Sequence, residues 1–323
     1  MRPIRGAVRQ QFELARQAVP DYEIGFAPEL ALATDIKVER GRGGRFWLLF
    51  SPTEPTWEEY AFLRSYSACC LFWFQQSRIA KWATFSVTDG NRPSHARFSF
   101  SSRSSDVVPV PDPRFFAQCA YREVADFASA NSVDWADRRG ELVWRGGLNG
   151  DGVFLTEPGA ILAHPNAIQR LRLWAMGQRL GLDIRFVLSG PPTYHKKMTD
   201  QGAMVGPGVH SNEWCAMKVA LDIDGFTNTW DNLPVRMLMG CCVLWVESAY
   251  GYRMWYHDRL RAWEHYVPVR ADLGDLEARL EWVRANDREA AEIARRGQNF
   301  ARGLDFCEES ALAGRIIDTH WET

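Results

Sequence analysis

The chain has 323 residues, 46% of them hydrophobic and 24% charged, the balance of an ordinary globular protein. No run of about 18 apolar residues occurs, which excludes a membrane-spanning helix. The net charge is −2 with the arginines scattered, which speaks against a nucleic-acid binder.

The N-terminal "MRPIRGAVRQQFELARQAVP" lacks the apolar core of a secretory signal. Its Phe12, Leu14, Ala15 and Val19 instead predict a short amphipathic helix ending at Pro20. "FWLLF" (46–50) reads as a strand, and 58–82 as one helix or a helix followed by a strand. "ATFSVTDG" (83–90) alternates Phe85 and Val87 with small polar residues and ends in an Asp-Gly turn. "PVPDPRFF" is too rich in proline to be helical. Glu141–Trp144 predicts a strand running into the glycine-rich "RGGLNGDG". Asn166 is placed to cap a helix over 168–180, and "LDIRFVL" reads as the next strand. Further on come a strand ending at Asp222–Asp224, a helix over 234–239, a strand over 242–246 and a helix over 253–262. An extended piece over 265–269 follows, then two helices over 273–302 that break at Asn286–Asp287. Strand–helix alternation of this kind predicts parallel sheets covered by helices. The boundary between two lobes is expected near Gly150–Pro158. That gives residues 1–150, residues 151–303, and a tail over 304–323 whose return to the first lobe is left open.

The seven cysteines include two adjacent pairs and no C-x-x-C, so buried free thiols in a reducing compartment are expected. Of the 14 tryptophans, Trp73 and Trp245 lie in apolar runs and read as core, whereas Trp144 and Trp230 flank polar loops and are candidates for ligand contact. The G-x-G-x-x-G, P-loop, G-x-S-x-G and H-E-x-x-H patterns are all absent. A nicotinamide oxidoreductase, which strand–helix alternation alone would allow, therefore lacks its glycine fingerprint.

Open α/β sheets bind ligands at the carboxyl ends of their strands. Four such ends carry polar or glycine-rich loops: Asp89, the stretch Arg145-Gly146-Gly147, the stretch Asp222 to Asn232, and Glu247. Glycines let backbone N–H groups approach an anion and arginine adds a fork of donors; a tight turn with a surface arginine explains the same residues. Asp222 and Asp224 share a face if the strand continues. They could clamp a divalent ion as a D-x-D pair, hold a sugar, or end the strand by bonding their own turn.

From Trp214 onward, "KVALDIDGFTNTWDNLPVRMLMGCCVLWVE" and "WYHDRLRAWEHYVPVRADLGDLEARLEWVRANDREAAEIARRGQNFAR" resemble glycosyltransferase family 90. That family comprises the capsule-associated CAP10-like proteins, bacterial lipopolysaccharide glycosyltransferases and eukaryotic protein O-glucosyltransferases. "WRGGLNG" and "VTDGNRP" resemble its upstream segments, so the likeness covers roughly 85–303. The resemblance implies a GT-B-like α/β fold, two Rossmann-like lobes facing a central cleft. It also implies inverting transfer of a glucose- or xylose-type sugar from a UDP-sugar to a hydroxyl of a cell-surface glycan or lipopolysaccharide. No metal or cofactor is implied, because cationic side chains and helix N-termini neutralise the diphosphate. Asp89 would be the general base. Arg145, Gly146, Gly147, Lys218, Asp222, Asp224, Gly225, Trp230, Asn232 and Glu247 would line the donor pocket. Two arginines of the eukaryotic members are missing here: Leu148 stands in one segment and Trp230-Asp231-Asn232-Leu233 in the other, which leaves Arg145 and Lys218 for the diphosphate. The partners implied are the UDP-sugar and a glycan or lipid-linked saccharide acceptor, with no nucleic acid. The location implied is cytoplasmic, with peripheral contact at the inner membrane face. A non-catalytic sugar- or nucleotide-sugar-binding relative and a metal-dependent D-x-D transferase are the alternatives.

Overall fold

A computed structural model describes residues 2–88, 94–188, 198–200 and 204–322. The chain divides into two compact units, Met1–Arg122 with Tyr252–His257 and Leu304–Thr323, and Glu123–Gly251 with Asp258–Gly303. The division at Arg122 replaces the expected one near 150. The strand expected over Glu141–Trp144, inside the expected first lobe, forms at Val143–Gly146, pairs with Asp183–Phe186 and so belongs to the second unit's core. Residues 304–323 group with the first unit. Among the described residues no helix is long and apolar enough to cross a membrane.

The first unit holds a six-stranded sheet. Its strands are β1 (Tyr22–Phe26), β2 (Asp35–Arg40), β3 (Phe46–Phe50), β4 (Trp82–Ser86), β5 (Phe98–Ser99) and β6 (Val108–Pro109). Their order is β1-β3-β2-β4-β5-β6, with β2 antiparallel to both neighbours and the other pairings parallel. Period-two alternation sends Ile36, Val38, Ala83 and Phe85 into the core and leaves Asp35, Lys37, Trp82 and Thr84 on the opposite face. Against the apolar face packs α2 (Trp57–Gln75), and α1 (Arg2–Leu14) packs on α2. A reciprocal Thr56–Glu59 capping box starts α2, whose last two turns are buried almost all round. The chain over 58–82 thus resolves into a helix followed by a strand. The proline-rich "PVPDPRFF" does contain a short helix, α3 (Pro113–Ala117). Proline is accommodated at its first turn, and Asp112 caps it by accepting from the N–H groups of Arg114 and Phe115.

The second unit is built on parallel strands. β7 (Val143–Gly146) pairs with β8 (Asp183–Phe186), and β9 (Val219–Asp222), β10 (Cys242–Val246) and β11 (Val267–Val269) form the order β11-β10-β9. The two groups meet through one parallel bridge. Arg139 donates its N–H to Ala216 O and accepts from Lys218 N, both at 2.8 Å. The helices that lie wholly within the described residues are α4 (Arg122–Ala130), α5 (Pro158–Ala163), α6 (Gln169–Leu180), α7 (Asn232–Leu238), α8 (Leu276–Ala285) and α9 (Asp287–Arg302). The last helix of the chain, α10 (Phe306–His320), lies in the first unit and packs on α2.

Two local expectations fail for tertiary reasons. Asn166 does not cap α6: its carbonyl accepts from Val153 N at 2.7 Å, and the helix begins three residues later. The helix expected over 253–262 is absent. Arg253 forms an antiparallel bridge with Ser102, and only the 3₁₀ turn His257–Arg259 remains. Six cysteines are buried free thiols and Cys307 is exposed. Burial pushes Cys241 and Cys242 up to about 12, so they act as apolar packing rather than nucleophiles. Trp73 is fully buried and donates to Pro111 O at 2.8 Å, whereas Trp245 is only half-buried, edge-on to Tyr266.

Candidate functional site

In the second unit the strand order reverses between β7 and β9. β7 runs outward to β8, and the chain then returns to β9 and continues to β10 and β11. Such a switch point is where an open α/β sheet leaves a crevice outside its carboxyl edge. The strands are joined at their amino ends by the Arg139 bridge and carry no ladder beyond it. Their separation exposes carbonyls that a neighbouring strand would otherwise satisfy, a cost the fold must meet.

Arg170, in the first turn of α6, meets it. Its Nε donates to Asp224 O at 2.8 Å, Nη1 to Gly147 O at 2.9 Å and Nη2 to Ile223 O at 3.1 Å. One guanidinium thereby ties the loop after β7 to the loop after β9. It is buried, and burial lowers its pKa to about 10, with Asp222 and Asp224 opposing the fall. It therefore stays charged at neutral pH. The loops close around it tightly. A Cβ on Gly225 would lie 3.2 Å from Arg170 Nη2, and Gly150 sits at φ +140° with its missing Cβ 3.4 Å from Gly225 O.

The two aspartates organise the same loop. Asp222 Oδ1 accepts from Thr229 Oγ1 at 2.5 Å and from Asn232 Nδ2 at 2.7 Å; Asp224 Oδ1 accepts from Asn228 Nδ2 at 3.0 Å. Both are buried, and β9 ends at Asp222, so Asp224 lies past the regular strand. Burial raises both carboxyls, that of Asp224 to about 6, where the Asp222 charge adds to the rise and bonds from Ser248 and Asn228 offset it. Among the described residues no group of three His, Cys, Asp or Glu side chains converges as a metal ligand set.

Between β7 and β9 lies a cavity of about 170 Å³ lined by Arg145, Arg170 and Arg236, the indoles of Trp144 and Trp214, and no carboxylate. Arg145 lends it little charge. Its donors go to Pro207 O, Trp144 O and Asp183 O, and to the Asp183 carboxylate at 2.7 Å. Arg236, from α7, is different. Its Cζ sits 3.8 Å from the centroid of Trp214 and its Nη1 reaches Met239 Sδ at 3.7 Å. No carboxylate among the described residues stands within ion-pairing distance of it. Burial lowers its pKa, with Cys241, Asp231 and Asp222 opposing.

Gly146, Gly147, Asp222, Asp224, Gly225, Trp230, Asn232 and Glu247 all come to the carboxyl edge of this unit's strands. Trp230 is buried at φ +42°, and Glu247 is exposed just after β10. Lys218 does not: it precedes β9, ~13 Å of extended chain before Asp222, and pairs with Asp287 at 2.7 Å. Asp89 lies outside the described residues. The sequence reading missed Arg170, Arg236 and Trp214. The usable signal for Arg170 was its place at a helix start following the glycine loop.

Residues 187–305 match the family model described as glycosyl transferase family 90. This stretch is a family 90 segment. The chain is also 40% identical over 87 residues to protein O-glucosyltransferase 3 of Mus musculus, covering 27% of this chain and 17% of that protein. It is 31% identical over 170 residues to uncharacterized protein 035R of Invertebrate iridescent virus 3, covering 52% of this chain and 15% of that one. The chain thus spans well under two-thirds of either relative. Sucrose-phosphate synthase from Thermosynechococcus elongatus aligns at a TM-score of 0.38 and 12% identity, over 67% of this chain and 59% of that one. The family 90 segment holds β9, the Asp222–Asn232 loop and Arg236, whereas Trp144, Arg145 and Arg170 precede it.

Two measurements test this site. Arg170→Met leaves three carbonyls and two buried carboxylates without their cation and should cost about 3–5 kcal/mol in urea unfolding; Arg170→Lys should recover only part of it. Asp224 carries a folded-state pKa of about 6 against 3.8 unfolded, so its stabilising share is complete below pH 3.8 and is lost as pH rises through 6. Asp224→Asn lacks this loss. Relative to wild type it should therefore gain on the order of 2–3 kcal/mol between pH 4 and pH 7; parallel stability curves would contradict the assignment.

Proposed function

We propose that the protein transfers a sugar from a UDP-sugar to an acceptor hydroxyl, using the switch-point cavity of the second unit for the donor's diphosphate. One observation carries the reading beyond family membership: Arg236, a cation on an indole face with no acid partner, lines a cavity that contains no carboxylate. A diphosphate supplies the missing negative charge. Arg236 donates to it directly, and Arg170 adds its field from behind the loops it ties. Asn149 Oδ1, a buried acceptor without a partner among the described residues, lies on the same glycine loop and suits a ligand hydroxyl. Asp222 and Asp224 shape the loop rather than touch the phosphates, since like charges would repel.

In the reaction the acceptor oxygen bonds to the anomeric carbon while the carbon–oxygen bond to the diphosphate breaks. UDP leaves with that electron pair, and the hydroxyl proton passes to a carboxylate. Asp89 is assigned as that base because it comes three residues after β4 in sequence and lies in a segment that resembles the family's aspartate segment. Inversion follows from this single displacement. Similarity to protein O-glucosyltransferases favours a glucose-type donor, with a xylose-type donor next. A glycan or lipid-linked saccharide of the cell surface, handled on the cytoplasmic side of the inner membrane, is the acceptor class proposed.

Calorimetry with UDP and with uridine tests the donor site. Arg236→Leu should weaken UDP by roughly 10- to 100-fold, the worth of one charge-assisted hydrogen bond, and leave uridine unchanged. Equal losses for both ligands would place Arg236 elsewhere. Asp89→Asn should keep the wild-type melting point and UDP affinity while turnover of UDP-glucose in excess EDTA falls ~10²–10⁴-fold. Wild-type turnover that needs added Mn²⁺ would restore the D-x-D metal reading.

A further inference from the structure

The first unit carries a separate cavity of about 620 Å³ on the sheet face opposite α1 and α2. That is the size of a small-molecule site, which typically spans roughly 300–1,000 Å³. Its walls are of two kinds. One is aromatic: Trp82 on β4 and Trp321 after α10 meet edge to face, ring centroids 6.0 Å apart at 85°, and Trp82 remains 37% exposed. The other is a carboxylate among hydroxyls. Asp35, 2% exposed, accepts from Ser94 Oγ at 2.8 Å, and Thr84 lines the same cavity.

The charge of the lining decides what class of ligand fits. Lys37, the cation over Trp82 at 5.5 Å, is paired with Glu29 at 2.7 Å and Glu39 at 2.5 Å. Arg97 donates to the carbonyls of Asp106 and His320. The cations are therefore committed, and three acids (Glu29, Asp35, Asp106) line the space. A phosphate or nucleotide finds no uncommitted Lys or Arg here, His95 being the remaining basic side chain on the lining, and an acyl chain would bury Asp35 against hydrocarbon. A neutral polyhydroxy ring suits both walls: its C–H face lies on an indole, and its hydroxyls donate to a carboxylate.

We propose that this cavity is a binding site for a neutral saccharide. Under the transfer reading the occupant is part of the acceptor glycan; to that extent the inference rests on that reading, although the binding itself does not. Burial raises the Asp35 carboxyl to about 6, so at neutral pH it is mainly ionised and accepts hydrogen bonds from hydroxyls.

The test is saturation-transfer NMR on the full chain with neutral trisaccharides of glucose, galactose, mannose and xylose, glucose 6-phosphate as the anionic probe, and UDP in a parallel arm. At least one trisaccharide should bind, glucose 6-phosphate should not, and Trp82→Ala and Asp35→Asn should each weaken binding by about tenfold or more with UDP affinity unchanged. Trp82 lies partly exposed on the outer sheet face, so Trp82→Ala should stay folded, losing only its contacts with Trp321 and Lys37, and guards against a folding defect in Asp35→Asn. Binding of none of the four, preference for glucose 6-phosphate, or binding untouched by both substitutions overturns the proposal. Trisaccharide binding without UDP binding removes the transfer reading and keeps this site; UDP binding without trisaccharide binding does the reverse.

Discussion

The guanidinium of Arg170 holds the second unit's ligand edge together. Parallel strands that part at a switch point leave carbonyls facing neither a partner strand nor water, and buried carbonyls without donors are costly. A single planar fork with five N–H groups can reach several of them at once, which a lysine cannot. Here it takes the carbonyls of Gly147, Ile223 and Asp224, drawn from two loops that are distant in sequence. The glycines at 150 and 225 follow from that closeness, because side chains there would crowd the opposing loop or the guanidinium.

Charge then accounts for the aspartates. A buried cation needs counter-charge, and Asp222 and Asp224 provide it from the loop that Arg170 binds. Their own hydrogen bonds go to Thr229, Asn232 and Asn228, so they fix the path of the chain around the cavity. Within that arrangement Arg236 stands apart, held by the face of Trp214 and lacking an acid of its own. Even a half-buried charge without an acid partner carries a desolvation cost, and a binding site for an anion is a physical reason for a fold to keep one.

The first unit is organised differently. An aromatic cluster from α2, α3 and α10 fills one side of its sheet; Phe72, Phe116 and Phe306 pack with ring centroids 4.9 to 6.5 Å apart. Asp318 ties the end of α10 to the turn after α2 by accepting from Ser77 and from the backbone N–H groups of residues 78–80. The other sheet face stays polar and indole-bearing, so one layer of strands serves both a core and a surface cavity.

Much of this was legible from local pattern. Continuous apolar runs gave β3, β9 and β10, period-two alternation gave β4, apolar periodicity gave α6, α8 and α9, and "LDIDGFTNTWDN" marked a strand end with a polar loop. These features depend on residue type and spacing along the chain, and those are what a sequence displays. Whether a charge is free depends on what other segments bring near it. Arg145 and Lys218 looked available until Asp183 and Asp287 were found beside them, and Arg170 and Arg236 looked like ordinary helix residues. The chain by itself determined two α/β units and the loops of the ligand edge. Tertiary structure alone decided which cations remain unspent there, because ion pairing is set by distance through space between residues that the sequence keeps far apart.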